Sequence, residues 1–142
     1  MPNPAAYTFA ELVVGQTAEF EVEVTEELVS RFVELSGDTN PLHTSEAYAA
    51  ATPFGGRVAH GMLLAGFFSQ LVGMHLPGRY ALYLSQTLAF RAPCKLGTTV
   101  KIRGEVKSLS DATKTATIRT QALAADTGEC LVDGEAIVRL LQ

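Results

Sequence analysis

The chain has 142 residues, with 11 Lys and Arg against 15 Asp and Glu, a formal net charge of −4. No long basic run is present, so a surface that would neutralise a phosphate backbone is not expected, and nucleic acid is set aside as a partner. Hydrophobic residues make up 47% and charged residues only 18%, which suits one domain over residues 1–142 and leaves apolar surface for a homo-oligomer. Cys94 and Cys130 stand far apart without a C-x-x-C pair. They read as free thiols in a reducing compartment. The start Met1-Pro2-Asn3-Pro4 has no charged n-region, and the longest apolar run, Met62 to Phe68, is too short to span a bilayer. A cytoplasmic protein with no membrane partner is expected.

Residues 1–10, rich in Pro and Ala, are expected to lie loosely on the surface. After a turn at Gly15-Gln16, residues 18–24 alternate apolar and acidic side chains, the pattern of a strand with one wet face. Thr25 suits an N-cap, followed by Glu26 and Glu27 in the first helical turn. Leu28, Phe32 and Leu35 form one stripe, and Gly37 is a good C′ residue. Pro41 pushes Asn40 out of the α region, so residues 38–44 read as a loop. Ser45 can cap a short helix from Glu46 to Ala51. The segment from His60 to Gly73 is apolar almost all round, predicting a helix buried on most sides, with Ala65 and Gly66 permitting close backbone approach. Tyr80–Arg91, Thr98–Leu109, Thr115–Leu123 and Cys130–Leu140 read as four strands separated by turns. Helices followed by a strand meander imply an α+β domain. Its expected form is a single hot-dog fold, in which an antiparallel sheet of about five strands wraps the long apolar helix and an overhanging helical segment carries the loop at residues 38–44.

The chemistry-bearing residues are few. Asp38 and His43 are separated by a Pro-containing turn that can bring them together as a general acid/base pair. The same residues also fit a plain reading, a turn in which Asp38 and Asn40 satisfy backbone donors. His60-Gly61 opens the apolar helix, whose first N–H groups have no intrahelical partner. A side-chain-free Gly61 there can form an oxyanion site. His60 itself reads as a structural helix start, His75 as a solvated cation near the helix end, and Ser69 as a serine bonded to the carbonyl one turn back. Three scattered histidines give no zinc pattern, so no metal is expected. No G-x-S-x-G, G-x-G-x-x-G or Walker pattern occurs.

Ser36-Gly37-Asp38-Thr39-Asn40-Pro41-Leu42-His43, followed by Phe54 and Val58-Ala59-His60-Gly61-Met62, resembles the MaoC-like (R)-specific enoyl-CoA hydratase family, in particular its short, single-domain bacterial members linked to polyhydroxyalkanoate synthesis. The stretch Leu82 to Phe90, with Pro93 and Gly97, is also similar, so the likeness runs from about Gly15 to Leu140. It implies catalytic roles for Asp38 and His43, an oxyanion donor at the Gly61 N–H, a pocket serine at Ser69, and a loop-shaping role for Asn40. The implied reaction adds water, as cosubstrate, across the double bond of a trans-2-enoyl-CoA thioester, with syn geometry, to give an (R)-3-hydroxyacyl product. No cofactor is needed, and the members are homodimers. Many members have an acid where this chain has Ser45, a position that looks like a helix cap. Arg57, Arg91 and Lys95 are candidates for the CoA phosphates by sequence position alone. The alternatives are a hot-dog thioesterase and a non-catalytic acyl-thioester-binding or dehydratase partner subunit.

Overall fold

The computed structural model describes residues 1–142. Strand β1 (Thr17–Glu23) is followed by helices α1 (Glu26–Ser36), α2 (Pro41–Thr44), α3 (Glu46–Ala50) and α4 (Gly61–Gln70), then a π turn at Leu71–His75. Strands β2 (Ala81–Gln86), β3 (Ala89–Phe90), β4 (Thr99–Ser110), β5 (Thr115–Ala124) and β6 (Cys130–Leu140) complete the chain. The strands form one antiparallel sheet in the order β1-β4-β5-β6-β2, with β3 also paired to β6. This sheet curls around α4, the hot-dog arrangement. It has six strands because the predicted strand from Tyr80 to Arg91 breaks in two at Thr87-Leu88. There Thr87 O lies over Gly134 of β6, so close that a Cβ on Gly134 would sit 1.8 Å from it. A part-buried polar chain lines the break. The Gln86 amide donates to Thr87 O at 2.8 Å and to Thr120 Oγ1 at 2.9 Å, and Thr120 donates to Gly134 O at 3.1 Å. Tyr83 O–H donates to Gln86, and burial pushes its phenol up to about 12.

The inner face of the sheet is small and apolar: Val100, Ile102 and Val106 on β4, Ala116, Ile118 and Ala122 on β5, and Ala136 and Val138 on β6 are all fully buried. Gly104 makes room for Leu71, whose Cδ2 would lie 2.9 Å from an added Cβ. Leu64, Phe68, Leu71 and Val72 fill the space above. Burial of this kind is the main stabilising term of such a domain.

Helix α1 has the caps its sequence announces. Thr25 Oγ1 accepts from Leu28 N–H at 3.2 Å, and Gly37 adopts φ +75° with its N–H on Val33 O. Four expectations are corrected. Residues 41–44 form a helical turn rather than a loop, because Pro41 occupies N1, where its missing N–H costs nothing, and Asn40 caps it by accepting from Leu42 N–H at 3.0 Å. The close backbone approach expected at Gly66 of α4 is absent, although the helix is covered on its other sides. A stripe of Met62, Gly66, Ser69 and Gln70 faces outward, and nothing lies within 4 Å of a Cβ built on Gly66, so no backbone packs closely there. The segment at residues 1–10 is tied down. Ala5, Tyr7 and Phe9 N–H groups donate to Met74, Pro77 and Gln142 carbonyls, and Leu12 is buried. His75 is half-buried and stacks on Phe20 at 4.9 Å between centroids, so it is not a freely solvated cation. No helix is long and apolar enough to cross a membrane.

Two glycine substitutions should separate by magnitude. Gly134→Ala must displace backbone and is expected to cost about 3 kcal/mol or more. Gly37→Ala meets nothing and should cost only the left-handed backbone penalty, about 1–2 kcal/mol. Calorimetric melting of both variants checks the order.

Candidate active site

The site is built where three segments meet. Turn α2 carries His43, the loop after α1 carries Asp38, and residues 57–60 run in an extended path into α4. That path is pinned on both sides. Ala59 N–H donates to Cys94 O at 2.7 Å and Val58 bridges to Lys95, while Val58 N–H reaches Leu42 O at 3.4 Å. Arg57 adds a strut: its Nε donates to His43 O at 2.9 Å and one terminal nitrogen pairs with Glu26 at 3.0 Å. With its side chain only 13% exposed and these partners engaged, Arg57 braces the His43 backbone and is not a free cation for a phosphate.

The His43 ring is fixed in one tautomer. Its Nδ1 lies 2.7 Å from Val58 O. A carbonyl can only accept, so Nδ1 carries a hydrogen, and the neutral ring then has its lone pair on Nε2, the form a general base requires. Asp38 is held by its own loop. Oδ1 accepts from Asn40 N–H at 3.1 Å, and the Asp38 N–H donates to Ser36 Oγ. Asn40 Oδ1 in turn accepts from Leu42 N–H. The turn of Asp38 and Asn40 side chains satisfying backbone donors is therefore present, and it coexists with the cluster: it aims Asp38 instead of replacing its chemistry.

His60 is the residue that sequence reasoning underrated. It is 3% exposed, its ring stacks on His43 with centroids 3.8 Å apart and planes 27° apart, and its Nε2 lies 3.1 Å from the Asp38 carbonyl and 3.9 Å from Asp38 Oδ2. Phe32 of α1 closes the other side at 4.8 Å. The available signal was a second histidine before a helix-opening glycine, but its contact with His43 spans 17 positions and is invisible to local patterning. Asp38, His43 and His60 each present one ligating atom within 4.8 Å of the others. The two rings stack, so their in-plane lone pairs do not converge on one point, and the Asp38 carbonyl engages His60 Nε2. The set suits proton abstraction from a water held between Asp38 and His43 better than it suits a cation.

Gly61, next in the chain, starts α4, so its N–H lies outside the helical ladder. It opens on an apolar cavity of about 440 Å³ lined by Phe54, Met62, Phe90 and Pro93 among others. The Phe90 ring lies over Gly61: a Cβ there would be 2.4 Å from the ring. Asp38 and His43 do not line that cavity. His43 borders a separate cleft of about 310 Å³ with Val29, Val33 and Arg57, and His60 touches Asp38 and His43 from its place beside Gly61. Ser69 is not brought to the cluster. It lies eight residues beyond Gly61, about 12 Å along a helix, exposed on a groove with Phe32, Leu35 and Leu63. Arg91 stands at the rim of the Gly61 cavity, paired with Asp133 at 3.0 Å, and Lys95 is exposed nearby on the adjoining turn. Burial pushes the Cys94 thiol up, away from nucleophilic use.

The MaoC like domain matches residues 10–127. The chain belongs to this family. Over 140 residues it is 41% identical to a 3-hydroxybutyryl-CoA dehydratase from Methylorubrum extorquens, covering 99% of this chain and 88% of the relative. It is 42% identical over 130 residues to an (R)-specific enoyl-CoA hydratase from Rhodospirillum rubrum, covering 92% and 89%. Among solved structures, an (R)-hydratase from A. caviae involved in PHA biosynthesis superposes with a TM-score of 0.88 at 41% identity, covering 91% of this chain and 97% of that one. An unliganded R-hydratase from Pseudomonas aeruginosa gives 0.89 at 39%, covering 94% and 84%.

Asp38→Ala and His43→Ala should each lower turnover of an enoyl thioester by about a hundredfold or more, the scale for acid/base groups, with the fold intact by circular dichroism. Ser69→Ala, remote from the cluster, should do far less. The comparison requires only steady-state rates of the three variants.

Proposed function

We propose that this protein hydrates trans-2-enoyl-CoA thioesters to (R)-3-hydroxyacyl-CoA, and catalyses the reverse dehydration. The observation that carries this reading is the cluster of Asp38, His43 and His60, with one ligating atom of each within 4.8 Å of the others, and His60 next in the chain to Gly61, where a helix N-terminus can hold an oxyanion. Water held between Asp38 and His43 loses a proton to this pair, and its oxygen adds to Cβ of the substrate. The electron pair of the double bond moves toward the thioester, and the Gly61 N–H stabilises the charge on its oxygen. The proton taken from water returns to Cα on the same face, so atoms balance with water as the sole cosubstrate and without a cofactor. Arg91 and Lys95, at the cavity rim and the adjoining turn, are the cations offered to the CoA phosphates. Two free thiols support a reducing, cytoplasmic setting. The thioesterase reading wants a carboxylate or histidine on the central helix, and α4 from Gly61 to Gln70 has no titratable side chain.

The working unit is a homodimer. Strand β2 ends the sheet with Leu82 and Leu84 exposed at 45% and 52%, and Ile137 on the neighbouring strand is 40% exposed. An unpaired strand edge beside apolar side chains favours pairing with a second copy.

Crotonyl-CoA separates the readings. Loss of enoyl absorbance without free thiol, with a product oxidised only by an (R)-specific 3-hydroxyacyl dehydrogenase, is expected. Release of free thiol would show hydrolysis, and no change would leave a binding subunit. Light scattering should give twice the chain mass, and Leu84→Arg should shift it toward one.

A further inference from the structure

His60 has more contacts with the catalytic pair than a helix start needs, and its ring is the least comfortable polar group in the molecule. Its Nε2 faces the Asp38 carbonyl at 3.1 Å, so that nitrogen carries the hydrogen. Nδ1 is then a bare acceptor. It is buried and has no hydrogen-bond partner, the one such side-chain atom in the structure. Leaving a buried polar atom unpaired is destabilising, and an apolar residue of similar size would remove the cost. A packing role alone is therefore a poor account of a histidine here.

What the histidine does supply is a double registration. Its N–H fixes the backbone of Asp38, and its face, 3.8 Å from His43, fixes the plane of the base. The neighbouring supports cannot do both. The Val58 carbonyl fixes only the rotation of the His43 ring, and Asn40 only the turn at Asp38. Without His60, the segments carrying the carboxylate and the base are tied by the Thr44 hydroxyl on Thr39 O and by Asn40 on Leu42 N–H, contacts that touch neither the Asp38 carbonyl nor the His43 ring.

We infer that His60 is a positioning residue: a neutral Nε2–H imidazole that holds Asp38 and His43 at the separation needed to share one water, at a cost in stability. It does not itself exchange a proton with substrate. This rests on the hydratase reading of Asp38 and His43.

The test compares His60→Gln with His60→Leu, side chains of similar volume. Both lose the ring face, but only glutamine keeps an N–H donor toward the Asp38 carbonyl. With crotonyl-CoA, His60→Leu should melt no lower than the wild type and yet show kcat about ten- to a hundredfold lower, the scale of a small misplacement of reacting groups. KM should stay within about twofold, and His60→Gln should be at least about threefold faster than His60→Leu. A residue serving only packing would favour leucine. Equal or faster turnover by His60→Leu than by His60→Gln, or wild-type kcat in His60→Leu, overturns the inference. A second arm needs no substrate: imidazole nitrogen chemical shifts of the wild-type protein should show His60 protonated on Nε2 and bare on Nδ1 through neutral pH. The opposite tautomer, or a charged ring, also overturns it. If the wild-type protein leaves crotonyl-CoA unchanged, the proposed reaction fails, while the tautomer measurement still decides the state of His60.

Discussion

The hydrogen bond from His43 Nδ1 to the Val58 carbonyl is the contact on which the site depends. It joins a one-turn helix that has almost no core of its own to the extended path leading into the central helix. A four-residue helix cannot hold a side chain steady by propensity. Here its base is steadied by a neighbour that is itself buried and pinned to the turn at Cys94 and Lys95. The same bond settles a chemical question, since a donor at Nδ1 leaves the opposite nitrogen free to accept. Ring orientation and the tautomer of the neutral ring are thus fixed by one interaction.

The next layer out repeats this economy. Arg57 reaches the backbone carbonyl of His43 and an exposed glutamate of α1, so the ion pair, of little worth on an open surface, ties together the two helices that flank the cluster. Gly61 does two things at one position: it starts the helix whose N-terminus can meet developing negative charge, and it leaves room for the Phe90 ring. The position of Phe90 follows in turn from the break in the sheet at Thr87, where Gly134 lets a carbonyl approach and Gln86 satisfies it. A part-buried polar chain at the sheet break therefore shapes an apolar wall of the cavity.

Much of this was legible in the sequence because it is local. The cap at Thr25, the left-handed Gly37, the alternation of β1 and the apolar run of α4 each announce themselves over a few residues. Asp38 and His43 could be singled out because a proline-containing turn separates them, and the resemblance to MaoC-like hydratases agreed. The helical turn at Pro41 was within reach too, since a proline at N1 after an asparagine cap is a start signal. The restriction that Pro41 places on Asn40 points the other way, toward a loop. The rest is tertiary. No local pattern reveals that His60 lies against His43, that Gly134 breaks the strand facing it, or that the apolar helix leaves one stripe uncovered.

The two edges of the sheet are unlike. Strand β1 borders solvent with Glu19, Glu21 and Glu23 on its exposed side, while β2 carries Leu82 and Leu84. A chain with two adhesive edges could add copies without end, as fibrils do. An edge lined with like charges disfavours pairing with its own kind. The acidic alternation of β1 thus guards one end of the sheet against open-ended stacking, a service that has nothing to do with the reaction.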